Sequence, residues 1–382
     1  MKNRGIWRGL NIFFSVIGVA VTAAIIFLMI TNAAGLGTLL SVIGLVKSQS
    51  LFDITLQEMI QGASAGIVDS LDDPYSKLLD KQTWEDLQVR LKAEFGGIGV
   101  YILQDEAGRL KIVNPIKGTP AYREGLQNGD IIMRINGESA LNMSQDDAVH
   151  LMRGEPGTQL VLTIYRESDG QEHEFVIIRE IINVPSVEDR MLDDKPAIGY
   201  IKLNQFHAKS AQEMADALNR LLKDHRMEGL VLDLRGNGGG DFEASIAIAS
   251  LFLDGQVVVK EADAQNNETV HQASGEGLDI PLVVLVNGDS ASASEILAGA
   301  LQDNQRALLV GEKTYGKGLV QTIYPLRDGS ALKLTTRKYY TPKGTDINDI
   351  GIVPDYVVEQ EPDAQTDLQL EKAVELLKKE IL

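Results

Sequence analysis

Residues 281–321 constrain this chain more than any other stretch. Pro281 to Val286 is an unbroken apolar run closed by the turn pair Asn287-Gly288, and such a run bounded by turn residues reads as a buried strand. Glu295 to Asp303 carries its apolar residues at helical spacing. Between the two lies Ser290-Ala291-Ser292-Ala293-Ser294. The small-residue run therefore occupies a strand-to-helix turn, on or just before a helix N-terminus. Backbone N–H groups there lack helical partners, and the helix dipole favours developing negative charge. A hydroxyl at such a turn is well placed to act as a nucleophile with its oxyanion stabilised. Alone, the same run could simply cap a helix, so its meaning depends on the rest of the chain.

A serine nucleophile needs a base. No Gly-x-Ser-x-Gly elbow lies at this turn, and the five histidines are scattered with no obvious relation to it. A lysine can serve if burial or a neighbouring cation leaves it neutral. Lys317, flanked by Gly316 and Gly318 and leading into a strand-like segment, is the candidate.

Together, Ser290 to Glu295, the segment Gly311-Glu312-Lys313-Thr314-Tyr315-Gly316-Lys317-Gly318 and Gln321 resemble the C-terminal processing peptidases, the tail-specific serine proteases. The resemblance extends over nearly the whole chain after its N-terminal apolar segment. It implies that Ser292 is the nucleophile, that Lys317, 25 residues on, is the base, and that Gln321 orients the lysine. Asp303, 11 residues after Ser292, becomes a structural support near the site. The implied fold is an α/β protease core of strands with crossover helices, similar to crotonase and Clp protease.

The core pattern begins near Ile198. Ile198 to Leu203 reads as a strand and Ser210 to Lys223 as an amphipathic helix. Gly229 to Leu234 reads as a buried strand running into Arg235-Gly236-Asn237-Gly238-Gly239-Gly240. A glycine-rich turn after a strand can cradle phosphate, but neither Gly-x-Gly-x-x-Gly nor Gly-Lys-Ser/Thr occurs at this turn. The resemblance makes it the oxyanion loop instead, with Gly238 or Gly239 giving one amide donor and Ala293 the other. The family commonly has proline where Gly238 stands. Ser245 to Leu253 reads as an apolar helix, Asp254 to Asp279 as a polar loop with strand edges, and Leu368 to Leu382 as a terminal amphipathic helix.

Residues 94–182 carry short strand-like segments separated by turns, which suggests a small β-rich domain. Phe95-Gly96-Gly97-Ile98-Gly99, then Gly118-Thr119-Pro120-Ala121, Gly125 to Asp130 and Ile135-Asn136-Gly137, resemble a PDZ domain. Glycines let successive N–H groups at Gly96, Gly97, Ile98 and Gly99 converge on a terminal carboxylate, while the peptide adds a strand to the sheet edge. Arg153, in a turn further on, reads either as a solvated residue or as a cation coupling this domain to the protease core.

At the N-terminus, Lys2, Arg4 and Arg8 precede nineteen uncharged residues from Ile12 to Ile30. That length is about enough to cross a bilayer, and the basic flank places the remainder outside the cytoplasm. A single transmembrane signal anchor is therefore expected, the protein being membrane-anchored and extracytoplasmic. Cleavage near Thr31-Asn32-Ala33, giving a secreted protein, is the alternative. Residues 35–50 continue this segment or form a linker. Leu51 to Leu71 and Lys81 to Lys92 read as helices, Asp72-Asp73-Pro74-Tyr75-Ser76 ending the first. The expected organisation is a basic tip and anchor over 1–36, a linker and helical arm over 37–93, the PDZ domain over 94–182 and the protease core over 183–382.

A net charge of −18 argues against nucleic acid as a partner. The absence of cysteine excludes a thiol nucleophile and a thiolate zinc site; no metal or cofactor is expected. The function expected is a serine endopeptidase acting on protein substrates captured by their C-terminal tails, and the resemblance implies a homodimer formed through the helical arms. A catalytically silent PDZ scaffold is the alternative. An acyl-CoA enzyme and a histidine-based PDZ protease are disfavoured, the first by the PDZ pattern and anchor, the second by the lack of a Gly-Asn-Ser-Gly-Gly motif.

Overall fold

The computed structural model describes residues 13–26, 33–92, 94–105, 107–361 and 364–382. Two compact units divide the chain after Leu78. In the first, residues 13–26 are helical, followed by helices Ala33–Gln49 and Leu56–Asp69. The second of these begins later than the apolar periodicity suggests because Thr55 caps it. Thr55 Oγ1 accepts the Glu58 N–H at 3.2 Å and the Thr55 N–H donates to Glu58 Oε2 at 2.7 Å, a reciprocal box that fixes the start.

The expected transmembrane helix is overturned. Among the described residues no helix is long and apolar enough to cross a membrane. At 1.5 Å per residue the described helical residues 13–26 account for about 21 Å, against roughly 30 Å of hydrocarbon. The Gly- and Leu-rich stretch 35–50, expected to continue the apolar segment or to form a linker, falls almost wholly within the helix Ala33–Gln49. The basic flank Lys2, Arg4 and Arg8, and Thr31-Asn32 of the candidate cleavage site, lie outside the described residues.

Within Leu79–Leu382, a six-stranded sheet forms the centre of the stretch expected to be the protease core. Its order is Val187–Asp194, Ala197–Leu203, Gly229–Asp233, Leu282–Val286, Leu308–Gly311, Tyr356–Val357. The first pair is antiparallel and the rest run parallel. Parallel strands must be covered on both faces, so their sequences are continuously apolar. Leu282 to Val286 illustrates this, every residue being buried. Val284 and Val286 pack into the core under helices Ser210–His225, Phe242–Ala249 and Ala293–Asp303, while Val283 and Leu285 pack with Ala373 and Leu377 of the terminal helix Leu368–Ile381. The alternation of the strand sends successive side chains to opposite cores.

Beside this sheet, strands Leu319–Pro325, Ala331–Tyr340, Val257–Asp263 and Glu268–Gln272 pair antiparallel in that order. The last two form a hairpin where the sequence suggested mainly a loop. The expected apolar helix starts at Phe242 instead of Ser245, because Asp241 caps it by accepting the Ala244 N–H at 2.7 Å.

Residues 100–178 form a separate core. Strands Val100–Gln104, Leu110–Pro115, Ile131–Ile135, Gln159–Arg166 and Gln171–Ile178 follow one another across one sheet, with Leu110, Ile112, Ile135, Leu160, Leu162, Ile164 and Ile177 fully buried. Strand Glu94–Gly97 pairs with Glu180–Asn183 where the chain enters and leaves this body. Val100–Gln104 is an edge strand, with Tyr101 and Leu103 exposed.

Candidate active site

The three serines of the small-residue run have different surroundings. Ser290 and Ser294 are fully buried. Ser290 Oγ donates to Leu234 O at 2.9 Å, and Ser294 Oγ donates to Asn237 O at 2.8 Å. Both hydroxyls thus stitch the turn to the glycine-rich loop after Gly229–Asp233. Ser292 alone of the three lines a cavity of about 430 Å³. It caps helix Ala293–Asp303 at φ 56°, ψ −115°, a backbone region that costs a non-glycine residue free energy and persists only when its surroundings impose it.

Lys317, Gln321, Gly238 and Ala293 line the same cavity. Lys317 is held through its backbone. Gly316 has φ +90°, and a Cβ there would lie 2.8 Å from Gly351 N; a Cβ on Gly318 would lie 2.9 Å from Asn348 N. The two glycines let the lysine segment pack against the turn 346–351, the close approach their sequence position suggested. Gln321 donates from Nε2 to Thr335 Oγ1 at 3.3 Å.

Glu295 ties the two halves together, a role that sequence reasoning missed. Its side chain is 1% exposed. Oε2 accepts the backbone N–H of Ser292 and of Lys317, each at 2.9 Å. Oε1 accepts Thr314 Oγ1–H at 2.6 Å and the Gly316 N–H at 2.7 Å. Four donors and the positive end of the helix compensate the buried charge. Tyr339, 2% exposed, adds a second tie, its hydroxyl directed at the carbonyls of Ser292, at 3.1 Å, and of Lys317. The signal for Glu295 was an acid in the first turn of the helix, but its partners lie 19 to 22 residues further on.

The glycine loop is fixed by Asn237, also missed. Asn237 Nδ2 donates to Leu203 O at 2.7 Å and Oδ1 accepts the Gly239 N–H at 2.9 Å. The Gly239 amide is therefore engaged, whereas Gly238 faces the cavity. Gly239 has φ +95°, and a Cβ there would lie 2.6 Å from Ala291 O and 2.9 Å from Ala293 N, so only glycine lets the loop meet the turn 290–294. Behind it, Arg235 binds Asp233 at 2.6 Å and Asp367 at 2.8 Å, while Tyr200 donates to Asp233 at 2.7 Å. Burial opposes the charge on Asp367, but hydrogen bonds from Arg235 hold its carboxyl below the ordinary value. Burial pushes the Tyr200 hydroxyl pKa up, and Asp233 adds to this.

Asp303 stands at the opposite end of its helix, about 16 Å from Ser292 by helical rise. It accepts the Lys343 N–H at 2.9 Å and faces Lys343 Nζ at 3.8 Å. It anchors the helix and does not line the cavity.

A second cavity, of about 280 Å³, lies between edge strand Val100–Gln104 and helix Gln145–Met152. Gly97, Ile98 and Gly99 line one end; Gly96 does not. A Cβ on Gly96 would lie 1.9 Å from Gly154 O, so this glycine serves a close backbone approach. Arg153 lines the cavity, lies 4.9 Å from the Phe95 ring centre and donates from Nη1 to Asp86 Oδ1 at 3.0 Å. Asp86 belongs to helix Lys81–Lys92, whose Leu87 and Leu91 line the cavity of Ser292.

Comparisons with known proteins identify the family. Residues 197–358 match peptidase family S41 and residues 111–166 match the PDZ domain. A carboxyl-terminal-processing protease of Synechocystis sp. is 42% identical, over 81% of this chain and 74% of that protein. A carboxy-terminal processing protease of Bacillus subtilis is 36% identical, over 91% and 77%. The solved photosystem II D1 C-terminal processing protease superposes with a TM-score of 0.52 at 30% identity, covering 87% of this chain and 89% of that one. On this evidence the chain belongs to peptidase family S41, as a serine peptidase of the carboxyl-terminal processing group with a PDZ domain.

Proposed function

We propose that the protein is an endopeptidase with a Ser292–Lys317 catalytic pair, acting on proteins whose C-terminal tails are captured by the PDZ domain. The observation carrying this reading is the shared cavity: Ser292 and Lys317 both line it, while the hydroxyls of Ser290 and Ser294 are buried and spent on carbonyls. Ser292 Oγ attacks the scissile carbonyl carbon while neutral Lys317 accepts its proton. The oxyanion develops toward the Gly238 and Ala293 N–H groups. Lys317 returns the proton to the leaving amine, and water then hydrolyses the acyl-enzyme with the lysine again as base. Gln321 orients the lysine. A base that must be neutral makes activity fall as pH falls.

Tail capture rests on the second cavity. A free carboxylate is received at Gly97, Ile98 and Gly99, and the peptide pairs along edge strand Val100–Gln104. Arg153 couples this groove to the core through Asp86.

The test is cleavage of an unfolded reporter with an apolar free tail, run beside Ser292→Ala and beside the same reporter with its tail amidated. Cleavage abolished by the substitution and weakened by amidation supports both parts. Cleavage surviving Ser292→Ala refutes the assigned nucleophile; cleavage indifferent to amidation refutes carboxylate capture. A wild type that binds tails but cleaves nothing favours a PDZ scaffold.

A further inference from the structure

Helix Lys81–Lys92 lies outside the stretch 197–358 that matches the peptidase family, yet it contributes to the cavity of Ser292. Leu87 and Leu91 are one turn apart, so they share a face. Both are half-buried and both line the cavity. Val320 and Ile323 add further aliphatic surface to the same lining. The helix is held from two sides: Asp86 accepts from Arg153 at 3.0 Å, and Leu91 O accepts the Ala208 N–H at 3.4 Å. Two leucines held at the edge of a reaction cavity are apolar surface kept available for a ligand side chain, since filling it removes further area from water.

We propose that Leu87 and Leu91 form the specificity wall of the catalytic cavity and select substrates with an aliphatic side chain beside the scissile bond. This rests on the reading of Ser292 as the nucleophile. The wall is a binding surface and takes no part in proton transfer, so its loss changes which peptide is cleaved and leaves the reactivity of the serine intact. A methylene in an apolar pocket discriminates roughly 10- to 200-fold in kcat/KM, and truncating either leucine removes a wall of at least that size.

The experiment uses the full chain and a peptide series with one constant free tail. The residues flanking the scissile bond are varied, one at a time, among Leu, Ala, Asp and Lys. Wild type is expected to cleave the Leu peptide at least about tenfold better than the Asp and Lys peptides. Leu87→Ala and Leu91→Ala should each lower the Leu-to-Ala ratio about tenfold, while the rate of fluorophosphonate labelling at Ser292 stays within about twofold. Leu91→Glu should move the preference toward Lys. Leu91→Val, a smaller change with the same expected sign, covers the case in which the alanine variant does not fold. Ratios unchanged across folded variants would overturn the proposal, as would a wild type preferring Asp. Labelling of Ser292 with none of the series cleaved would also overturn it, whereas a wild type with no reactive Ser292 would fail the underlying reading of the site.

Discussion

Ser292 and Lys317, 25 residues apart in the chain, share one acceptor: Glu295 Oε2 takes the backbone N–H of each at 2.9 Å. The serine turn and the lysine segment are thereby set relative to one another by a buried carboxylate that accepts from the backbone of each. Glu295→Gln keeps the shape but replaces an acceptor oxygen with a donor among four N–H and O–H donors. We expect kcat to fall by about 10²-fold or more, as for other losses of catalytic preorganisation, with a stability cost of about 1–3 kcal/mol. Steady-state kinetics together with thermal melts check this; an unchanged kcat in a destabilised protein would make Glu295 purely structural.

The serine run separates stability from chemistry. Ser290→Ala removes a fully buried hydroxyl that donates to Leu234 O and accepts the Asn287 N–H, taking away both bonds. It should cost about 1–3 kcal/mol of stability while keeping most activity below the melting point. Ser292→Ala should do the reverse, abolishing cleavage with little change in melting temperature. Paired melts and activity assays on the two variants read both effects.

Gly239→Ala tests the meeting of the two turns. A methyl group would press against Ala291 O and Ala293 N from a backbone at φ +95°. The strain should destabilise by more than about 1 kcal/mol and displace the Ala293 amide, lowering kcat more than it raises KM. Gly238→Ala, where no atom lies within 4 Å of the added Cβ, should be far milder in stability.

His207 gives a pH dependence of stability. It is 2% exposed, and burial lowers its pKa despite the opposing fields of Glu213 and Asp241. The unfolded chain therefore takes up the proton first. The stability it contributes is full above the ordinary imidazole value of about 6.5 and is lost as pH falls through the lower folded value. Melting temperatures between about pH 7.5 and about pH 5 should drop more for wild type than for His207→Asn; parallel curves would count against this assignment.

The legible parts of this protein were those written in local pattern. The buried strand Leu282–Val286, the helix after it and the glycine-flanked lysine follow from apolar runs, spacing and small residues, and the family resemblance singled out Ser292 and Lys317, which the structure brings to one cavity. What sequence could not give is contact across the chain. Glu295 is visible as a first-turn acid, but Thr314, Gly316 and Lys317 become its partners only through packing. Asp86 and Arg153, 67 residues apart, meet for the same reason. The anchor expectation rested on an apolar count over 12–30, which measures hydrophobicity alone; among the described residues no helix is long and apolar enough to cross a membrane.

The most direct test of the central claim is covalent. Wild type, Lys317→Met and Ser292→Ala would be treated with a fluorophosphonate probe near neutral pH, and the adduct located by peptide mass mapping. The account predicts a single adduct on Ser292 in wild type, none in Ser292→Ala, and labelling slowed by about 10²-fold or more in Lys317→Met, the scale of a lost general base. An adduct on Ser290 or Ser294, or undiminished labelling without Lys317, would contradict it.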